Sequence, residues 1–248
     1  MRCPSILDGA VAVRDGRIEH VGARDWVVET LTQRGLSFTE RHFDGVLLPG
    51  LVNAHTHLQY TGMASVGAGQ YRGFDDWARA FDEVYDAGGL DWGGDAAAGA
   101  RLLLASGTTA AADVVTDAAA ASALHDAGLH GVAYWEVMGW SNEEWRARGE
   151  REVSASLDAM PTPPAVGISP HAPYSLDAEP LLDLPDMARR RGMRIHIHLG
   201  ESHSEAEWSE TRTTALADLW KSEHSSSFTA MRSRGGGFSS TQFVDQLG

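Results

Sequence analysis

The stretch Leu47 to Tyr60, LLPGLVNAHTHLQY, constrains this chain more than any other. It reads as a buried strand, entered through the tight Pro49-Gly50 pair and ending in two histidines. Successive side chains on a strand point to opposite faces, so His55 and His57, with Thr56 between them, face the same way and can reach one metal ion. Neutral imidazole is a common ligand for zinc and suits iron as well. A His-x-His pair alone is a short pattern that chance can produce. A second stretch gives it weight: Arg194 to Ser202, RIHIHLGES, is another apolar strand ending in His198, with the carboxylate of Glu201 three residues on.

The rest of the chain falls into order around these two. Gly9 to Arg14 and Arg17 to Val21 flank an Asp15-Gly16 turn, a strong hairpin signal. Phe74 to Ala87 carries Phe74, Trp77, Ala78, Phe81, Val84 and Tyr85 at helical spacing, and this stripe reads as core. Helices are expected at Ala96 to Ser106, Ala118 to Ala127, Asn142 to Met160 (with Ser141 and Glu144 at capping-box spacing) and Asp177 to Arg191. Strands are expected at Gly107 to Thr116, Gly131 to Val137, Ala165 to Ser169 and Met193 to Leu199. Beyond Trp208 the pattern fades: Thr214 to Trp220 is helix-like and Ser225 to Thr241 is Ser- and Gly-rich without strand alternation.

The two histidine motifs, in this order and at this separation, resemble the hydrolytic deaminase and chlorohydrolase-like branch of the amidohydrolase superfamily over most of Gly9 to Trp208. The resemblance implies an α/β fold, a (β/α)8 TIM-like barrel, here partial at about five strand-helix units, with a small N-terminal β-sandwich portion. The expected divisions are 1–48 for the sandwich portion, 49–208 for the incomplete barrel and 209–248 for an irregular or partly helical segment. It implies metal ligands at His55, His57 and His198, and a proton-transferring Glu201. It also implies that His171, in Pro170-His171-Ala172-Pro173-Tyr174, lies over the metal pocket and binds substrate. From its residues alone, that histidine reads equally as a loop anchor bonded to backbone. Glu136 ends the third barrel strand, where such barrels carry their active sites, and either contacts substrate or forms a structural ion pair. His196 reads as an interior barrel residue one layer deeper. The wording of HTHLQYTG and HLGESHSEAEW leans towards the aminodeoxyfutalosine deaminases.

The implied cofactor is one divalent metal ion, zinc or iron. The only lysine is Lys221, outside any readable strand, which disfavours a binuclear site bridged by a carboxylated lysine. The implied reaction is hydrolysis of a non-peptide C–N bond, the deamination of a purine-like base or nucleoside by water activated at the metal. A net charge of −14 disfavours a nucleic-acid partner, no segment has the length of a membrane span, and the expected setting is cytoplasmic with a small amino-substituted heterocycle as partner. Two residues that the family pattern requires, a histidine on a sixth strand and an aspartate after the eighth, are not found: His203 and His224 lack the context, and Asp245 has no buried strand before it. This keeps three alternatives open: an inactive fragment that at most binds metal, a chlorohydrolase-like reaction, and a homo-oligomer that completes the barrel between chains.

Overall fold

Asp15 and Gly16 both take positive φ, 51° and 74°, the left-handed pair that a two-residue hairpin turn requires. They join β1 (Gly9–Arg14) to the antiparallel β2 (Arg17–Ala23). A helix that the sequence reading did not anticipate follows, α1 (Arg24–Gln33), which buries Val27 and Leu31 and has a weak apolar stripe. The computed structural model describes residues 4–211 and 237–247. These elements belong to the first of two compact units, Met1–Leu48; the second is Pro49–Gly248. The expected helix at Thr214 to Trp220, together with Lys221 and His224, lies outside the described residues. Among those described, no helix is long and apolar enough to cross a membrane.

The second unit is built on a parallel sheet in chain order, β3 (Leu51–Thr56), β4 (Thr108–Val115), β5 (His130–Val137), β6 (Ala165–Pro170) and β7 (Arg194–Ile195). Parallel neighbours need a crossover, supplied by α2 (Ala64–Gly67), α3 (Phe74–Asp86) and α4 (Trp92–Ala105) after β3, and by α5 (Ala123–Asp126) after β4. A run comprising α6 (Asn142–Glu144), a π-helical turn (Trp145–Gly149) and α7 (Glu150–Ala159) links β5 to β6, and α8 (Ala178–Arg191) links β6 to β7. Helix starts follow capping chemistry: Asp91 accepts from Gly94 N at 3.0 Å, and Ser141 Oγ accepts from Glu144 N at 3.1 Å. α8 closes on Gly192 at φ 65°, with Met193 N donating to Ala188 O at 2.9 Å, a Schellman closure.

Two apolar clusters lie between sheet and helices. One is bulky, centred on Trp145, Leu157, Ile168, Leu184 and Met187, and receives Phe243 from the helix Ser240–Leu247. The other is alanine-rich, with Ala96, Ala100, Ala111, Ala120 and Ala133 around Leu58 and Leu124; its small side chains let α4 approach the sheet closely.

Three expectations need correction. The stretch read as a buried strand is largely exposed, Leu51 at 56% and Val52 at 71%, because β3 is a sheet edge with a neighbour on one side only among the described residues. The expected Met193–Leu199 strand shortens to Arg194–Ile195 for the same reason, since β7 is the opposite edge. His196 N and His198 N nonetheless extend its pairing to Ile168 O and His171 O at 3.0 and 2.9 Å. The expected helix at Ala118–Ala127 contracts to α5, the residues before it being turns.

Gly131 pairs with Ala111 at φ 152°, and a Cβ there would lie 2.0 Å from Ala111 O. Neither backbone can yield without breaking the ladder. Gly131→Ala is therefore expected to lower unfolding stability by more than about 2 kcal/mol, read from the urea midpoint at unchanged m-value.

Candidate active site

β3 and β7 lie at opposite edges of the sheet, yet their histidines meet. His57 Nε2 and His198 Nε2 are 3.2 Å apart, and His55 Nδ1 is hydrogen-bonded to His196 Nε2 at 2.8 Å. The sheet is therefore curled so strongly that its first and last strands face each other across the concave side. One nitrogen from each of His55, His57 and His198 lies within 4.8 Å of the others.

A backbone carbonyl fixes which nitrogen of His198 faces inward. A carbonyl can only accept, so the 2.9 Å contact between His198 Nδ1 and His171 O means that Nδ1 carries the proton and Nε2 the lone pair. Burial lowers the basicity of all three imidazoles, with neighbouring histidines adding to the effect; His57 is brought down to about 2. They are neutral at physiological pH, the form in which imidazole can bind a metal. His57 Nδ1 is buried with no hydrogen-bond partner among the described residues. The donor set therefore fits a divalent ion of the zinc type. A second group, Glu136, His171 and His198, also converges, but it shares His198, whose Nδ1 is already committed to His171 O.

His57 is held by the turn that follows it. Buried Asp113 on β4 accepts from Leu58 N at 2.8 Å. Fully buried Gln59 accepts from Thr116 N at 2.9 Å and donates to Thr116 Oγ1 at 2.6 Å, tying the turn to the end of β4. Burial pushes Asp113 up to about 7.

Glu201, Glu136 and His171 line the cavity that opens over the imidazoles, a space of about 980 Å³. Burial, reinforced by Glu205, raises Glu201 to about 7, which leaves it able both to take and to give a proton near neutrality. Glu136 goes up to about 8, through burial first and Glu201 second, so it is predominantly protonated at pH 7. Its Oε1 has no hydrogen-bond partner among the described residues and lies 3.7 Å from His198 Nδ1. His171 Nδ1 bonds Ser175 Oγ at 2.7 Å while Ser175 Oγ donates to Ala172 O, so Nδ1 is protonated and Nε2 carries the lone pair. Burial brings His171 down to about 3.

All six residues singled out from the sequence thus share one site. The apolar stripe of α3 is placed differently from the expectation. Phe74, Trp77, Phe81 and Tyr85 line the cavity wall, Phe74 also packing against the bulky core cluster, and Tyr60 joins them, stacked on His57 with ring centroids 5.2 Å apart. The helical spacing was visible in the sequence, but spacing does not say what a face looks onto. His196, read as interior, supports His55 directly. Asp113, Gln59 and Glu205 were not singled out. Only Glu205 had a sequence signal, the Ser202-x-x-Glu205 spacing.

A sequence profile of the amidohydrolase family matches residues 46–217. A 5-methylthioadenosine/S-adenosylhomocysteine deaminase of Moorella thermoacetica is 28% identical over 227 residues, which cover 82% of this chain and 48% of that protein. The crystal structure of Helicobacter pylori aminofutalosine deaminase in complex with methylthio-coformycin superposes with TM-score 0.73 at 23% identity, over 90% of this chain and 54% of that one. An adenosine deaminase from Xanthomonas campestris with bound zinc gives TM-score 0.66 at 21% identity, over 97% and 50%. The chain thus spans about half the length of these proteins.

A carboxyl raised by burial costs stability once it must ionise in place. The Asp113 contribution is intact below pH ~4 and lost as pH rises through about 7. In metal-free protein, Asp113→Asn, which keeps the acceptor for Leu58 N, is expected to flatten this fall. The gain over wild type above pH 7 should be on the order of 3 kcal/mol, read from urea unfolding at pH 4 and pH 8.

Proposed function

The chain belongs to the amidohydrolase family, and on that premise we propose that it carries the metal-binding half of a hydrolytic deaminase acting on a purine nucleoside or a close analogue. The observation that carries this reading is the convergence of three neutral imidazoles with a carboxyl of shifted pKa on one aromatic-walled cavity. His55, His57 and His198 would hold one divalent ion, zinc by analogy with the zinc-bound relative, and that ion would supply an activated water.

The remaining steps fall to side chains. Glu201 takes a proton from the water and passes it to the ring nitrogen next to the carbon under attack. Once the new C–O bond has formed, the second proton of the water moves to the amino group, the C–N bond breaks and ammonia leaves, with a C=O at that carbon and the first proton kept on the ring nitrogen. A pKa near 7 suits this two-way transfer. Glu136, protonated at neutral pH, can donate to a ring or sugar acceptor, and His171 presents a lone pair that can accept from the exocyclic amine. Tyr60, Phe81 and Trp77 offer the flat surfaces that a purine stacks on. A volume of about 980 Å³ accommodates a nucleoside with a substituent on its sugar. The reading extends to a cytoplasmic setting, with a net charge of −14 that would repel a nucleic-acid backbone.

One observation favours a second reading for the chain on its own. Among the described residues, neither sheet edge that carries the proposed ligands has a further strand, and both expose apolar side chains, at Leu51, Val52 and Ile195, so metal binding without turnover is the competing outcome.

The test is metal content and turnover together. After dialysis, about one zinc per chain is expected, the stoichiometry of a mononuclear site, with ammonia released from 5′-substituted adenosines. Replacing His55, His57 or His198 with Ala should abolish metal retention. Glu201→Gln should keep the metal and lower kcat by about 10²- to 10⁴-fold. Loss of metal in the Gln variant would overturn the role given to Glu201, and metal without turnover in wild type would favour the second reading.

A further inference from the structure

Glu205 is fully buried, with 0% exposure, in the first turn of α9 (His203–Thr211), and its two oxygens do different jobs. Oε1 accepts from Gly200 N at 2.9 Å and Oε2 from Glu201 N at 2.8 Å. Its own N–H donates to Ser202 Oγ at 3.1 Å. In a capping box the glutamate returns to the N–H of the capping residue itself, which here would be Ser202. Glu205 instead reaches past it, to the two residues before the helix. Gly200 makes this possible: at φ 70° it takes the left-handed conformation that glycine favours, and consecutive N–H groups in such a turn form a concave site for an anion. The carboxylate of Glu205 fills that concavity from inside the protein.

We infer that Glu205 is a positioning residue for Glu201, fixing the Gly200–Glu201 backbone so that the Glu201 side chain is aimed into the cavity beside His198. The inference rests on the proton-transfer role proposed for Glu201. The segment is otherwise weakly held. The ladder between β6 and β7 ends with His198 N on His171 O, and Gly200 and Glu201 follow two and three residues later with no strand to pair with. A charge-assisted pair of bonds to a buried carboxylate takes the place of that missing pairing. Glu205 also contributes to raising the pKa of Glu201, so one side chain both aims the proton carrier and keeps its proton available.

The experiment is amide exchange in the full chain, with turnover as a second arm. In wild type, the Gly200 and Glu201 amide protons are expected to resonate downfield and to exchange slowly. Glu205→Gln retains one acceptor and turns an NH₂ towards the other amide, so exchange at one or both should accelerate by on the order of tenfold or more, with other amides unchanged. Ser202→Ala removes only the helix-capping bond and should leave both amides slow. In the metal-loaded chain, Glu205→Gln is expected to lower kcat by roughly tenfold or more with KM and metal content preserved, the pattern of a lost transition-state contribution. Unchanged amides in Glu205→Gln, equal acceleration in Ser202→Ala, or altered amides with unchanged kcat would each overturn the inference. If wild type binds metal but shows no turnover, the deaminase reading fails while the two amide comparisons still decide whether Glu205 holds this turn.

Discussion

The site depends on a contact made across the sheet rather than along it. Strand order runs β3 to β7 without permutation, so a flat sheet would hold the first and last strands four strand spacings apart, roughly 19 Å at the usual separation. Their imidazoles are instead 2.8 to 3.2 Å apart. Only the curvature of a closing barrel brings opposite strands together in this way. Within the curl, His55, His57, His171, His196 and His198 crowd one another, and that crowding together with burial keeps the rings neutral and available as donors of lone pairs.

Curvature brings the strand ends together, but the turns leaving those ends have no ladder to satisfy their N–H groups, and buried backbone donors must be paired. The chain solves this with buried side chains. Asp113 takes Leu58 N, Gln59 takes Thr116 N, and Asp177 takes Asn142 N at 3.0 Å. Glu205 takes two donors at once. Each of these groups sits beneath a loop that carries a residue of the cavity, and for Asp113 the arrangement has a visible electrostatic cost in its raised pKa. Stability is given up locally to hold the loops in one conformation.

Much of this was legible in the sequence where a local rule decides. Asp15-Gly16 dictated its hairpin, Gly192 stopped α8, and the two His-x-His strands declared their shared faces. The sequence reading failed where the outcome depends on partners far along the chain. The aromatic stripe of α3 has the periodicity of a buried face, yet it looks onto a cavity, because what it packs towards is set by loops that come later. His196 shares a face with His198, as an interior residue one layer deeper would, and nothing local shows that its ring meets His55. Leu51 and Val52 have core composition but edge positions, since exposure is fixed by which strands flank β3 and not by β3 itself.

The separation between the paired histidines has a kinetic side. His57 and His198 are 141 residues apart in the chain, so the proposed ligand set closes a long loop. Contacts of such high sequence separation form late, after local helices and neighbouring strand pairs. During synthesis, His55 and His57 emerge when no partner for them exists, and a two-imidazole site holds a divalent ion poorly. With the ligand set proposed above, tight metal capture would wait until the fifth strand has docked, so that a bound ion would report completed curvature.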